Sequence, residues 1–276
     1  MTDPARLYLD LLKKSLLGEL YYENEVRLLY LRDCLEGRDR YDPRALLRIE
    51  EARRDLCQRY RALGTDGRLL DDSLENLGYR HTMIGRRRLE HLEWCLGEAV
   101  ADGVPGDFIE CGVLRGGAAV FMRGYLEAHG VPDRVVWVAD SFAGLPAPSL
   151  PEDASEAAAA ACPALAVPLD IVRGVFSRYG LADARVRFLP GWFRDTLPGA
   201  PIGALAVLRV DADLYESTAT ALAALYGKVS PGGFVIIDDY HCIDGCRQAV
   251  DRFRRERRVA GPLERIDWTG VYWRKR

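Results

Sequence analysis

Apolar side chains in the first hundred residues recur every three to four positions, which is the spacing of an amphipathic helix. One such stripe consists of Leu7, Leu11, Leu12 and Leu16. The pair Asp42-Pro43 predicts the start of another helix, over residues 42–60, because Asp caps a helix and Pro suits its first turn. After a glycine-containing break at residues 64–67, a last helix is predicted over residues 84–100. Residues 1–103 are therefore predicted to form a helical region that serves as a lid or a dimerisation surface.

From Asp107 onward the pattern changes to short apolar runs that alternate with helical stretches. The predicted strands cover residues 107–113, 135–140, 186–189, 202–210, 233–238, 263–268 and 271–274. The predicted helices cover residues 117–129, 170–179, 217–229 and 244–257. Such alternation builds a doubly wound, mostly parallel α/β sheet. The last two strands follow each other without a helix, so they should form an antiparallel hairpin. A seven-stranded, Rossmann-like sheet with this ending resembles the class I methyltransferase fold, and we expect it over residues 104–276.

Residues 143–168 do not fit the alternation, because they are rich in proline and alanine. They begin directly after a predicted strand, at the edge of the sheet where ligands bind in α/β folds. Long irregular segments in such positions often close over a binding site. We therefore predict that residues 143–168 form a lid loop.

Composition excludes several classes of protein. The chain has 276 residues, of which 49% are hydrophobic, and a formal net charge of -3, so no basic excess favours nucleic acid. The arginine run at 86–88 is interpreted as a solvated helix face. The longest apolar run, residues 202–208, is too short to span a membrane, and no secretory leader is visible. The seven cysteines lack the paired spacing of a zinc site. We expect a cytoplasmic protein with reduced thiols and neither membrane nor nucleic-acid partners.

The first predicted strand ends in a glycine-bearing turn that carries an acidic residue. Glu110 precedes Cys111 and Gly112, and Gly116 lies at the start of the following helix. The dinucleotide pattern Gly-x-Gly-x-x-Gly is absent, which disfavours a pyrophosphate ligand. An acidic residue suits a ligand with a cationic amino group, and the methionine end of S-adenosylmethionine has one. This turn is the first part of the predicted cofactor site.

Two further segments are predicted to complete the cofactor site. The second strand ends at Asp140-Ser141, where a carboxylate can accept both ribose hydroxyls of a nucleoside, although a helix or turn cap would use the same residue type. Thr82 and Met83 follow His81 and precede the helix predicted over residues 84–100, so this segment is a candidate for the pocket wall. Together with Glu110, these residues favour a bound nucleoside that also carries an amino acid.

Four aspartates follow two other predicted strands. Asp211 and Asp213 end the fourth strand, and Asp238 and Asp239 end the fifth. Adjacent parallel strands end at the same edge of the sheet, so the four carboxylates should converge and repel one another. A hard divalent cation resolves this repulsion; magnesium is the expected ion, with manganese and calcium as alternatives. The alternative is that the aspartates cap two separate helices. His241 follows the second pair and is a candidate proton carrier.

Taken together, these segments resemble the macrocin O-methyltransferases, also called the TylF family, which methylate sugar hydroxyls of natural products with S-adenosylmethionine and magnesium. The resemblance rests on residues 8–14, 107–113, 140–146, 191–198, 209–218 and 236–240. It implies magnesium ligands at Asp211, Asp238 and Asp239, a general base at Asp213, and a cofactor contact at Trp192. Ala212 departs from the glycine expected within the Asp-x-Asp motif. Residues 32–70 have no counterpart that we can quote.

The resemblance implies a (deoxy)sugar hydroxyl on a natural product as the methyl acceptor, and a homodimer or larger homo-oligomer. In the predicted mechanism, magnesium acts as a Lewis acid and Asp213 takes the hydroxyl proton. Three alternatives remain at this point: a catechol-type O-methyltransferase, a nicotinamide-dependent oxidoreductase, and a non-catalytic binding module. The missing Gly-x-Gly pattern disfavours the oxidoreductase, and the four aspartates disfavour the module.

Overall fold

The computed structural model of the chain describes residues 3–58 and 80–276. Eleven helices are labelled within these ranges: α1 (Pro4–Leu16), α2 (Tyr22–Leu35), α3 (Pro43–Leu47), α4 (Ile49–Ala52), α5 (Arg86–Ala101), α6 (Gly117–Ala128), α7 (Ala157–Ala160), α8 (Leu169–Arg178), α9 (Phe193–Thr196), α10 (Tyr215–Leu225) and α11 (Asp244–Glu256). The strands of the same ranges are β1 (Asp107–Cys111), β2 (Val136–Asp140), β3 (Val186–Pro190), β4 (Leu205–Val210), β5 (Val229–Ile237), β6 (Glu264–Arg265) and β7 (Val271–Arg274).

The seven strands of the described residues form one sheet in the order β3-β2-β1-β4-β5-β7-β6. β1 to β5 run parallel to one another, and β7 runs antiparallel to both β5 and β6. The chain reverses its direction of progress across the sheet between β1 and β4. In doubly wound sheets, ligands bind at this point, beside the carboxyl ends of the strands. The predicted fold class, including the antiparallel ending, is confirmed.

Residues of one strand point alternately to the two faces of the sheet, and each face is covered by helices. On β1, Phe108 belongs to a buried cluster that includes apolar residues of α1, α5, α6 and α8. Its neighbour Ile109 belongs to a second cluster, which includes apolar residues of α10 and α11. Strands covered on both faces read as continuous apolar runs, as in β4, whose residues are all buried. The helices thus leave the edge at the carboxyl ends of the strands for a ligand.

The N-terminal helices divide into two packing groups. α1 packs against α6, where a Cβ at Gly124 would overlap the side chain of Leu12. α2 and the following short helices enclose a small separate core that contains Val26, Tyr30 and Ile49. The boundary predicted at residue 103 lies between α5 and β1, and the division into two domains stays a prediction.

Several predicted boundaries differ from the structure. The helix predicted over residues 42–60 begins as expected, with the Asp42 side chain accepting from Arg44 N at 2.8 Å. It is interrupted at Arg48, whose φ of -122° and ψ of 48° are not helical, so the prediction of one continuous helix was wrong. Its predicted end at residue 60 and the break at residues 64–67 lie outside the described residues. The strand predicted over residues 263–268 shrinks to the two residues of β6, because Asp267 turns the chain by accepting from Thr269 N and Gly270 N.

Residues 143–168 are not a plain loop. They contain short 3₁₀ helices at Pro151–Glu156 and Pro163–Leu165, and α7 lies between them. The segment packs beside the starts of α10 and α11, over the edge of the sheet where the predicted site residues lie. Its place at this edge agrees with the lid prediction, and closure over a ligand stays a prediction. No helix within the described ranges is long and apolar enough to cross a membrane.

Candidate active site

Strand register brings the acidic turns together. Cys111 of β1 lies beside Val210 of β4, and Val210 lies beside Ile237 of β5. The three strands therefore end at the same level, and the next residues in the chain are Gly112, Asp211 and Asp238. Backbone hydrogen bonds continue one step beyond the strands, since Asp211 N donates to Cys111 O at 2.8 Å and Asp238 N donates to Val210 O at 3.0 Å. The convergence of the aspartates follows from this register.

Three of the four aspartates form a compact cluster. Oxygen atoms of Asp211, Asp213 and Asp239 all lie within 4.8 Å of one another. Burial, and after it the neighbouring carboxylates of Asp211 and Asp238, raise the pKa of Asp213 to about 8. The pKa values of Asp211 and Asp239 are also raised, by burial first and then by nearby carboxylates. Such mutual repulsion is the electrostatic environment that a bound divalent cation would relieve, and the oxygen donors suit a hard ion such as magnesium.

Asp238 lies next to that cluster but is not part of it. Its two carboxylate oxygens contact Arg88 of α5 and Arg209 of β4, and its side chain is almost fully buried. The interpretation of the 86–88 run as a solvated face was therefore wrong for Arg88, which is 7% exposed and also lies 3.1 Å from Asp267. A carboxylate oxygen has more than one lone pair, so these arginine contacts leave room for a further ligand.

Glu110 lies beneath the site rather than on its wall. It is 2% exposed, and its Oε1 accepts from Arg209 at 2.6 Å. Burial raises the pKa of Glu110 to about 8, against the opposing effect of Arg209. Cys111 is fully buried in the apolar core, and neither residue lines the cavities described below. The proposed cofactor site therefore does not include Glu110 or Cys111. Glu110 instead pairs with the buried Arg209.

Two adjoining cavities open at the carboxyl ends of the strands. The narrower one, of about 550 Å³ including space open to solvent, is lined by Gly112, Asp140, Ser141 and Trp192 among others. The wider one, of about 1330 Å³ by the same measure, is lined by Met83, the four aspartates and residues of the 143–168 segment. Gly112, Asp140 and Asp211 line both. The predicted cofactor residues Gly112, Asp140, Ser141, Trp192 and Met83 thus meet around one continuous space.

Asp140 is fixed in place by backbone donors. Its carboxylate accepts from Val113 N at 2.7 Å and from Phe142 N at 2.7 Å. Burial raises the pKa of Asp140, while these N–H groups favour its ionised form. The bonds tie the turn after β1 to the turn after β2. The carboxylate is therefore held rigidly at the wall of the narrower cavity, where a ribose would bind.

Backbone strain concentrates at the same edge. Among the described residues, positive φ values without glycine occur at Leu114, Phe142, Asp213 and Arg258, with φ between 48° and 55°. The first three lie in the turns that follow β1, β2 and β4. Such strain costs free energy and tends to collect at functional sites. At Asp213, the left-handed conformation places the carboxylate beside Asp211 and Asp239.

The structure places three other predicted site residues in packing or surface positions. Thr82 is buried, and the segment at His81 and Thr82 packs so closely on Gly117 that a Cβ there would overlap it. Gly116 has a φ of 83° at the start of α6, where a Cβ would lie 2.8 Å from Val172. His241 is exposed, and its ring packs against Tyr240 outside both cavities. His241 lines neither cavity, and its role as a proton carrier stays a prediction.

Four residues of the site escaped the sequence analysis. Arg209 and Arg88 neutralise the buried carboxylates, and Asp153 and Glu156 reach the site from the 143–168 segment. Arg209 left a recognisable signal, because a lone arginine in the otherwise apolar β4 needs a buried partner. The other three residues gave no such signal in the sequence, because their partners lie far away along the chain.

Comparison with known proteins agrees with this arrangement. The macrocin-O-methyltransferase (TylF) family model matches residues 5–275. A tetracenomycin rhamnosyl 4'-O-methyltransferase from Streptomyces olivaceus is 47% identical over 99% of this chain and 95% of its own length. The mycinamicin III 3''-O-methyltransferase from Micromonospora griseorubida is 50% identical over 71% of this chain and 78% of its own length. The structure of the O-methyltransferase NovP matches with a TM-score of 0.78 and 42% identity, covering 98% of this chain and 99% of that one.

These findings decide between the classes of function left open by the sequence. A match over nearly the whole chain, together with close relatives of one enzyme class, excludes the nicotinamide-dependent oxidoreductase and the non-catalytic module. The prediction of an S-adenosylmethionine-dependent O-methyltransferase is confirmed. The chain belongs to the macrocin O-methyltransferase (TylF) family.

Proposed function

We propose that the protein transfers a methyl group from S-adenosylmethionine to a hydroxyl of a sugar, most specifically a deoxysugar, that is already attached to a natural product, with the help of Mg²⁺. The observation that carries the proposal is the cluster of Asp211, Asp213 and Asp239 in a cavity that adjoins the nucleoside-type wall at Asp140. By their names, the two relatives from Streptomyces olivaceus and Micromonospora griseorubida act on a sugar of a tetracenomycin and on mycinamicin III, which supports the acceptor class.

Charge supports an acceptor without phosphate. Among the described residues, the wider cavity has carboxylates at its wall from Asp140, Glu156 and the four aspartates, and one cationic side chain, Arg88. That arginine is already paired with Asp238 and Asp267. A diphosphate would therefore meet repulsion on entry. Apolar wall residues suit an aglycone or a deoxysugar ring instead; they are Met83, Leu145, Ala159, Leu165, Ile243 and Trp268.

Asp211 and Asp239 belong to the cluster and are the first two proposed Mg²⁺ ligands. We propose Asp238 as the third ligand, through carboxylate lone pairs that its arginine partners leave free. When bound, Mg²⁺ supplies Lewis-acid chemistry that makes a hydroxyl easier to deprotonate. Asp213 remains to accept the hydroxyl proton. The left-handed backbone at Asp213 and its burial hold the carboxylate toward the cavity. The oxygen that loses the proton then attacks the methyl carbon of the sulfonium, the C–S bond breaks, and S-adenosylhomocysteine leaves with the electron pair. Alignment of oxygen, carbon and sulfur therefore supplies much of the rate.

The test is an acceptor screen with S-adenosylmethionine, read by mass spectrometry as the gain of one methyl group. Deoxysugar glycosides of natural products should react, whereas the matching nucleoside diphosphate sugars and small catechols should not. Chelator should abolish turnover, and added Mg²⁺ should restore it. Full turnover in chelator would refute the metal role, and preferred methylation of nucleotide sugars or catechols would refute the acceptor class.

A further inference from the structure

Asp153 is a buried carboxylate in the middle of the 143–168 segment. Its side chain is fully inaccessible to solvent, although the 3₁₀ helix that carries it lies at the protein surface. One oxygen, Oδ1, accepts from Tyr215 N at 2.5 Å, and the other, Oδ2, accepts from Glu216 N at 3.2 Å. A buried carboxylate that lacked such donors would be strongly unfavourable. Asp153 therefore attaches the middle of the segment to the body of the protein.

The two donors are the first two amides of α10. Leu214 precedes that helix and supplies no side-chain cap, so Asp153 provides the cap from a distance of more than sixty positions in sequence. The positive end of the helix dipole favours a carboxylate at this place. α10 begins two residues after Asp213, so the cap also fixes the backbone that follows the proposed proton acceptor.

Asp153 also packs on the start of α11. A Cβ at Gly245 would lie 2.8 Å from Oδ1 of Asp153 and 3.0 Å from the carbonyl oxygen of Glu152. Glycine at position 245 thus allows the turn of the segment to fit between the first turns of α10 and α11. These helices follow the two acid-bearing strands, β4 and β5. The segment therefore packs next to both stretches of chain that carry the aspartates beyond the ends of β4 and β5.

Beyond Asp153, the same segment forms part of the wall of the wider cavity. Glu156, Ala159 and Leu165 lie on that wall, and Glu156 is close enough to raise the pKa of Asp213, after the larger effects of burial and of Asp211 and Asp238. A second bond, from Ser149 Oγ to Glu216 Oε2 at 2.6 Å, ties the start of the segment to the same turn of α10. A loss of the Asp153 bonds would release the cavity wall and the Asp213 turn together.

We propose that Asp153 is a positioning residue: it latches the 143–168 segment onto the N-terminus of α10 and thereby sets the acceptor wall of the cavity relative to Asp213. The inference rests on the proposed function for the identity of the acceptor. It assigns Asp153 no contact with donor, acceptor or metal. The narrower cavity takes part of its wall from the start of the segment, at 144–146, but Asp140 is held there by its own backbone donors, Val113 N and Phe142 N. The latch should therefore act more strongly on the acceptor than on the donor.

The experiment compares Asp153→Ala, Asp153→Asn and Gly245→Ala with the control Glu152→Gln, which changes a neighbouring carboxylate in the same 3₁₀ helix. The loss of a charged hydrogen bond of this kind changes an equilibrium constant by about tenfold or more. We expect Asp153→Ala to raise the KM for the acceptor about tenfold and to lower kcat, with the Kd for S-adenosylhomocysteine unchanged within about twofold. Asp153→Asn should recover part of the loss, because its amide oxygen still accepts one bond. Gly245→Ala, which crowds the latch from the other side, should change the acceptor KM in the same direction, and Glu152→Gln should match the wild type.

Hydrogen exchange provides a readout that needs no acceptor. In Asp153→Ala, the amides of Tyr215 and Glu216 and the peptides of residues 143–168 should exchange faster, while peptides of β1 and β2 should not. Unchanged exchange at Tyr215 and Glu216 would refute the latch. Faster exchange with unchanged kinetics would show a helix cap without a positioning role, and equal weakening of donor and acceptor binding would show general disruption; either result overturns the proposal. If the wild type methylates no sugar, the proposed function fails, and the exchange experiment still decides on the latch.

Discussion

Gly112 and Asp211 share one tight backbone contact, in which a Cβ at Gly112 would overlap the carbonyl oxygen of Asp211. Gly112 has a φ of 84°, a conformation that glycine adopts without strain. The contact joins the turn after β1, at the wall of both cavities, to the turn that begins the Asp-x-Asp motif. The donor site and the carboxylate cluster are therefore built on a common piece of backbone.

Substitution of Gly112 should damage both sites at once. We expect Gly112→Ala to destabilise the protein by about 3 kcal/mol, from left-handed strain and overpacking. It should also abolish binding of S-adenosylhomocysteine in calorimetry. Gly174→Ala is the control, because position 174 is in α8 with open space around it and should be neutral or slightly stabilising. Wild-type donor affinity in Gly112→Ala would contradict the role of the contact.

Asp140 should matter for the donor and not for the metal. Asp140→Ala removes the carboxylate that faces the narrower cavity and frees the amides of Val113 and Phe142. We expect the Kd for S-adenosylhomocysteine to rise about 10- to 100-fold, which corresponds to the loss of charged hydrogen bonds. Calorimetry with donor product and with Mg²⁺ separates the two sites. A donor Kd within twofold of the wild type would remove Asp140 from the cofactor site.

Single substitutions of the four aspartates should have different effects, according to the proposed role of each residue. Asp211→Asn, Asp238→Asn and Asp239→Asn should each weaken Mg²⁺ binding, because a carboxylate ligand is lost. Asp213→Asn should keep Mg²⁺ binding within a few-fold and lower kcat by about 10²–10⁴, the usual contribution of a general base. Asparagine tolerates the left-handed backbone at position 213, which limits structural damage. If Asp213→Asn lost the metal and Asp238→Asn kept it, Asp213 would be the third ligand.

The raised pKa values predict an unusual dependence of stability on pH. Asp213 and Glu110 have pKa values of about 8 in the folded protein, against 3.8 and 4.5 for the free side chains. The folded state therefore holds protons that the unfolded chain has lost, so stability without metal should fall as pH rises from about 4 to 8.

Thermal unfolding in chelator at several pH values measures this effect. The Tm should fall by at least about 3 °C between pH 6 and pH 8, the shift expected for roughly 1 kcal/mol in a domain of this size. Mg²⁺ should recover the Tm at pH 8, because it binds the folded state only. Asp213→Asn should show a flatter slope, and a Tm that rose with pH in chelator would contradict the assignment.

Arg209 should be among the most sensitive positions for stability. It is buried, and it contacts Glu110, Asp211 and Asp238. Arg209→Met should cost about 3–5 kcal/mol, because it leaves buried carboxylates without their partner. The double variant Arg209→Met with Glu110→Gln should recover part of the loss, because it removes a buried acid that has lost its hydrogen-bond partner. Denaturant unfolding measures both, and an equal loss in the single and double variants would argue against the Glu110 pairing.

The sequence predicted the sheet well because its signal is periodic and local. Continuous apolar runs between helical stretches located β1 to β5, and the absence of a helix before residues 271–274 predicted the antiparallel ending. It failed at Arg48, where a helix break has no glycine or proline to mark it. The convergence of the aspartates was also accessible, since register in a parallel sheet follows from topology.

The buried charge network was not accessible from the sequence. Arg88 stands in a run of three arginines, two of which are not buried, so composition gave no reason to single it out. Asp153 lies in a proline- and alanine-rich stretch, and its partners are the amides of Tyr215 and Glu216, which have no residue identity to recognise. Contacts between distant segments are set by packing and not by local pattern. For the same reason, the ion pair between Glu110 and Arg209 could not be recognised in the sequence, and the cofactor contact of Glu110 stays a prediction.

The turn between β6 and β7 supplies Asp267, which lies beside Arg88, and Thr269, whose hydroxyl donates to Asp238 O at 2.8 Å. β7 also covers β5, which would otherwise be an open edge strand able to pair with other chains. One hairpin thus both shields the sheet from edge-to-edge aggregation and supports the acidic turn after β5.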